Sequence, residues 1–182
     1  MRYAMVTIAA AAVMLSGAAE PAQGQRQRPG IREVHRHHGF WISGGLGGGW
    51  ENARDAFGVQ GRGGAGYIRL GGTPHPQALV GVEILGWGDG DDFGDVGRAN
   101  VTVMTMVYPS FNGGWFLKGG FGAAGYERGF EDYGGIGLSL GSGFDFRIGG
   151  NFYLTPNVDY MVQLFENQSN GSLLFTLGAT VH

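Results

Sequence analysis

From residue 40 onward the chain alternates between bulky apolar and small or polar positions. In 136–148 (IGLSLGSGFDFRI) the even positions Ile136, Leu138, Leu140, Phe144, Phe146 and Ile148 carry the bulk, while Gly137, Ser139, Gly141, Gly143, Asp145 and Arg147 are tiny or charged. A period of two marks a β-strand with unlike faces. Segment 158–165 repeats it, with Val158, Tyr160, Val162 and Leu164 opposite Asp159, Met161 and Gln163. The last segment sets Leu173, Phe175, Leu177, Ala179 and Val181 against Leu174, Thr176, Gly178, Thr180 and His182. Weaker versions occupy 40–50, 59–71, 79–87, 99–108 and 115–126. The pattern predicts eight strands of roughly 8–13 residues, long enough to cross a bilayer at a tilt.

The connections alternate as well. After the second, fourth and sixth segments come turn-like strings: 72–76 (GTPHP), 109–113 (PSFNG) and 149–151 (GGN). After the first, third, fifth and seventh come more charged stretches: 51–58, 88–98, 127–134 and 166–172. Short turns at one rim and polar loops at the other are the layout of a transmembrane barrel. The expected fold is all-β, an eight-stranded antiparallel up-and-down transmembrane β-barrel over 40–182. A soluble barrel of lipocalin type also closes its sheet, but turns its apolar face inward to a ligand. Here the apolar faces oppose Arg69, Glu83, Lys118, Asp145, Arg147 and Asp159 and many glycines. An eight-stranded lumen is only just wide enough for side chains, so the broad aromatic face belongs against lipid.

Composition adds limits. Gly is 38 of 182 residues, several times the usual share of about 7%, without the strict triplet period of collagen. There is no Cys, which excludes disulfides, thiolate nucleophiles, Cys-ligated zinc and an N-terminal lipidated Cys. With 12 basic and 15 acidic residues, no global field favours nucleic acid. Residues 1–24 have the form of a signal peptide. Arg2 is followed by the apolar run 4–19 (AMVTIAAAAVMLSGAA), too short for a span of about 20, and then by small residues ending at Gly24. Residues 25–39 (QRQRPGIREVHRHHG) hold four Arg and three His with little to bury, and are expected to form a flexible basic tail.

At 135–160, GIGLSLGSGFDFRIGGNFYLTPNVDY, and at 172–182, SLLFTLGATVH, the chain resembles the closing strands of small outer-membrane β-barrels of the OmpA/OmpX/OmpW-like superfamily. The earlier GGWFLKGGFGAAGYE and the Tyr108-Pro109 turn look like the same group. The resemblance implies residence in the outer membrane. The partners it implies are outer-membrane lipids and lipopolysaccharide, and the barrel-assembly machinery during insertion. Members commonly finish on an aromatic residue read by that machinery, whereas this sequence finishes Val181-His182.

The candidate site is the set of inward charges: Arg69, Lys118 and Arg147 against Glu83, Asp145 and Asp159. Three against three predicts a neutralised lumen network, since buried charge must be compensated. His35, His37 and His38 lie in the tail and Asp89, Asp91, Asp92 and Asp95 in a loop. Neither group has the spacing of an ordered metal site, so no metal and no cofactor is expected. A hydrolase would need Ser, His and a carboxylate together, yet His75 is far in sequence from Ser139 and Ser142. The expected function is non-enzymatic, structural or surface-interacting. The alternatives are a narrow barrel passing small apolar molecules and, less favoured, a lipid-modifying enzyme.

Overall fold

The computed structural model describes residues 39–53, 61–89, 96–110, 113–128, 131–166 and 169–182. The signal segment, residues 25–38 of the tail and Asp91, Asp92 and Asp95 lie outside these. The strands are β1 (Gly39–Ala53), β2 (Arg62–His75), β3 (Ala78–Asp89), β4 (Val96–Val107), β5 (Trp115–Arg128), β6 (Glu131–Phe144), β7 (Phe146–Gly149), β8 (Phe152–Leu164) and β9 (Ser169–Val181). Each pairs antiparallel with its sequence neighbour, except that the β6 and β7 pieces follow end to end. Both pair with β8: Gly143 faces Asn157 and Phe146 faces Leu154, one register carried across Asp145. They therefore make a single barrel strand. β1 pairs with β9 and β6 with β8, which closes an eight-stranded barrel without an open seam.

The alternation in the sequence becomes an inside and an outside. Ile68 and Leu70 on β2, Val80, Val82 and Ile84 on β3, Val101 and Val103 on β4, Phe121 on β5 and Leu140 on β6 are all exposed on the outer wall. The residues between them, Arg69, Glu83, Thr102 and Ser139, are buried. Large apolar side chains outside and charges inside invert the order of a soluble barrel, and lipid is the solvent that suits that order. The apolar wall is uneven. Along β8 the outward positions are bulky from Phe152 to Leu164, whereas on β3 they are bulky only from Val80 to Ile84 and continue as Gly86 and Gly88.

Inward glycines make the lumen habitable. A Cβ on Gly178 would lie 2.6 Å from the Gly44 carbonyl and 2.9 Å from Tyr67 Cζ. One on Gly141 would lie 2.8 Å from Lys118 Cε and 2.9 Å from the Val158 carbonyl. Glycine at these positions lets Tyr67 and Lys118 reach across. Gly150 has another reason: its φ of 53° forms the tight β7–β8 turn, where a side chain would be strained.

Two expectations from sequence need correction. The 72–76 string is strand up to His75, with a bulge between Gly72 and His75, and only Pro76 and Gln77 turn. The stretches 51–58, 88–98, 127–134 and 166–172 are each entered by the ladder: β1 runs to Ala53, β3 to Asp89, β4 starts at Val96, β5 runs to Arg128, β6 starts at Glu131 and β9 at Ser169. Strand pairing continues beyond the apolar band because the ladder needs only backbone partners, and outward side chains there can be polar.

Candidate functional site

The lumen is stacked in layers. At the turn rim, Trp41, Leu79, Met104, Met106, Tyr108 and Phe116 form one buried apolar cluster. Toward the loop rim, Ala65, Tyr67, Leu85, Trp87, Met161 and Leu174 form a second. Charge in the body of the barrel is held between these layers, away from water.

At its centre Arg69 from β2 works as a fork. Nε donates to Glu83 Oε2 at 2.5 Å, Nη1 to Asn157 Oδ1 at 3.0 Å and Nη2 to Asp159 Oδ2 at 2.9 Å. Lys118 from β5 closes the ring, ion-paired to Glu83 and lying 2.9 Å from Asp159 Oδ1. All four side chains are fully buried, so two cations and two anions form a neutral quartet drawn from β2, β3, β5 and β8. The Arg69 guanidinium also lies 3.7 Å over the Tyr67 ring centroid.

A hydroxyl chain runs from the quartet toward the turn rim. Asn157 Nδ2 donates to Tyr67 OH at 3.0 Å, whose oxygen is 3.3 Å from Ser43 Oγ. Ser43 and Thr180 hydroxyls are 2.7 Å apart, and Thr180 and Thr155 2.9 Å apart. Thr155 then donates to Asp145 Oδ1 at 2.6 Å, and Tyr108 OH donates to Asp145 Oδ2 at 2.7 Å. Asp145 is thus a lumen residue, held by the Thr155 and Tyr108 hydroxyls at the turn-rim end of this chain. Toward the loops, Gln163 Nε2 donates to Asn100 Oδ1 at 2.9 Å, and Asn100 Nδ2 donates to the Leu138 and Val162 carbonyls, each at 3.1 Å.

Arg147 departs from the expected set. Its parity is inward, but β7 is exposed at every position, and the guanidinium Nε donates to the Gly150 carbonyl at 3.0 Å outside the barrel. Parity persists past the rim, whereas the lumen does not. Sequence reasoning also missed a pair: Glu51 and Arg98, assigned to loops, are buried and ion-paired near the loop rim, with Arg98 4.4 Å over the Tyr126 ring centroid. The signal was present, because Glu51 extends the inward row of Trp41 and Ser43, and Arg98 that of Asn100 and Thr102. Among the described residues no group of three or more His, Asp or Glu is placed to hold a metal.

No protein-family model matches the chain, and no curated protein sequence matches it. Solved structures do match. The crystal structure of Neisserial surface protein A is similar at TM-score 0.63 and 12% identity, over 78% of this chain and 96% of that one. Ail, the attachment invasion locus protein of Yersinia pestis, is similar at 0.57 and 15%, over 79% and 99%. The chain has the fold of the small outer-membrane β-barrels. The N-terminal β-barrel domain of Pseudomonas aeruginosa OprF is a further example, at 0.51 and 13%, over 80% and 98%. At such identities the likeness is one of fold, and the lumen of this small outer-membrane barrel has to be understood from its own side chains.

Proposed function

We propose that the protein is a non-enzymatic integral outer-membrane barrel, a sealed stave of the envelope whose polar rim is available for surface interaction. The observation that carries this reading is the filled lumen: an apolar layer, the Arg69–Glu83–Lys118–Asp159 quartet and a second apolar layer succeed one another along the axis. A permanently wet pore would leave such charges hydrated and separate. Here they are fully buried and bonded to each other, so passage would require breaking the quartet. A barrel passing small apolar molecules through its axis would meet the same barrier, which places that reading second. The attachment invasion locus protein shows by its name that this fold can serve a surface role.

The test is conductance across a planar bilayer holding the refolded mature chain. The expected trace is flat at ordinary voltage. Stable open steps in the wild-type protein, unchanged on removing Lys118, would refute the sealed lumen.

A further inference from the structure

The outer wall holds a hollow that neither closure nor packing explains. It lies across β1, β2 and β3 in the half of the barrel nearer the loops, and its volume is about 360 Å³. Leu46, Ile68 and Ile84 form its sides, and Gly64, Gly66, Gly86 and Gly88 form its bare bed, with Tyr67 and Trp87 beneath. The three aliphatic residues are 78%, 56% and 47% exposed, so the hollow opens to the membrane.

Glycine in a strand interior costs about 0.5–1 kcal/mol relative to Ala, and where it is not needed for backbone geometry it marks close approach from outside. Neither Gly64 nor Gly86 has positive φ. A Cβ on Gly64 would meet nothing nearer than the Gly88 carbonyl at 4.0 Å, and one on Gly86 nothing nearer than the Arg98 carbonyl at 3.6 Å. The inward glycine on the same strand is different: a Cβ on Gly63 would lie 2.8 Å from the Gly88 carbonyl carbon. The lumen glycine is held by its neighbours, whereas the barrel itself has room for a side chain at Gly64 and Gly86.

The loop-side end of the hollow carries a cation. Outward positions on β2 run Ile68, Gly66, Gly64, Arg62, so the trough leads to an exposed guanidinium. Arg62 makes no ion pair with any described residue. Its cross-strand neighbour is Trp50, also exposed on the outer wall. An aromatic ring beside an arginine is the usual furniture of the membrane–water boundary. An apolar trough topped by an exposed cation fits a molecule with an acyl chain and an anionic head.

We propose that the Gly64–Gly86 trough and Arg62 seat one phosphorylated lipid of the loop-side leaflet, its acyl chain along the glycines and its phosphate on the guanidinium. The seat rests on the membrane reading above and adds a ligand class to it. Hydrocarbon fills the trough because no side chain does, and the phosphate accepts hydrogen bonds from the planar guanidinium.

The test uses the mature chain in phosphatidylcholine nanodiscs containing bisphosphorylated lipid A, released into the gas phase for native mass spectrometry. Wild-type protein is expected to retain lipid A over phosphatidylcholine. Arg62→Gln should reduce that preference about fivefold, the worth of one basic residue at an anionic surface. Gly64→Leu with Gly86→Leu should remove the retained lipid, and Gly72→Leu, exposed near the turn rim, should leave it unchanged. Equal retention by wild type, Arg62→Gln and the double Leu variant would overturn the seat. A dimer lost in the double Leu variant, in place of lipid, would assign the trough to a second copy and also overturn it. Failure of the wild-type chain to enter nanodiscs and show heat-modifiable gel migration would overturn the membrane reading, and the seat with it.

Discussion

Removing Lys118 tests the quartet most directly. The ammonium lies 2.9 Å from Asp159 and is ion-paired to Glu83, all three side chains being fully buried. Coulomb's law at an effective dielectric of about 20 gives roughly 5–6 kcal/mol for unit charges about 3 Å apart. Desolvation, at several kcal/mol per ion, offsets much of this, so the quartet as a whole adds little net stability. Breaking it is another matter. Lys118→Met leaves Glu83 and Asp159 sharing only Arg69, a net negative charge among fully buried side chains. Removing one partner of a buried pair costs about 3–5 kcal/mol, against at most about 1 kcal/mol for an exposed pair. Lys118→Met with Glu83→Gln restores neutrality and should recover at least about 1.5 kcal/mol of that loss, read as a coupling energy. The assay is equilibrium urea unfolding in lipid vesicles, followed by tryptophan fluorescence. Couplings of only a few tenths of a kcal/mol between Lys118 and both Glu83 and Asp159 would mean that these groups are separately hydrated, and the sealed-lumen argument would fail.

Other substitutions test the remaining layers. Leu140→Arg, on the lipid face, should cost about 2–4 kcal/mol in vesicles if near the midplane. Ser139→Arg, fully buried in the lumen, should prevent folding in vesicles and micelles alike, and equal modest penalties at the two sites would refute the assigned faces. Gly141→Ala should lose about 1–3 kcal/mol by pushing into Lys118 and the Val158 carbonyl. Gly134→Ala, where nothing lies within 4 Å, should be neutral or slightly stabilising in the same unfolding assay. Burial lowers the His182 imidazole pKa from 6.5 to about 4. The unfolded chain therefore binds the proton first, and stability should fall as pH drops from about 6.5 toward 4. A pH series on His182→Phe should lack that component, and identical slopes in both chains would refute it.

Which side of each strand faces lipid was legible because a two-residue period leaves only one free choice, and the inward charges fix it. Arg69, Glu83, Lys118 and Asp159 were accessible by that logic alone. The ends of the barrel were not. Alternation does not say where the lumen stops, so parity alone puts Arg147 inside although it stands beyond the turn rim. The charged stretches around Glu51 and Arg98 read as loops, although the ladder still encloses both residues. Nor did composition reveal that Trp41, Leu79, Phe116, Leu85 and Leu174 would line the lumen. An apolar residue at an inward parity looks like noise in the pattern until several from distant strands meet. The partners within the quartet depend on stagger between strands far apart in sequence, and alternation carries no information about stagger.

The uneven outer wall has a mechanical consequence. β8 offers the bilayer bulky side chains over 13 residues, about 30 Å of height at a typical strand tilt. β3 offers them only from Val80 to Ile84, roughly a third of that height. A hydrocarbon slab matched to one side of the cylinder is mismatched to the other, and such mismatch is relieved by leaning the cylinder or by thinning the slab locally. The barrel therefore acts on its membrane as a wedge, with the shallow side at β2 and β3. Where no lipid is seated in the trough, acyl chains next to that side are expected to be shorter or more disordered than those along β8 and β9, so the protein shapes the lipid around it as much as the lipid holds the protein.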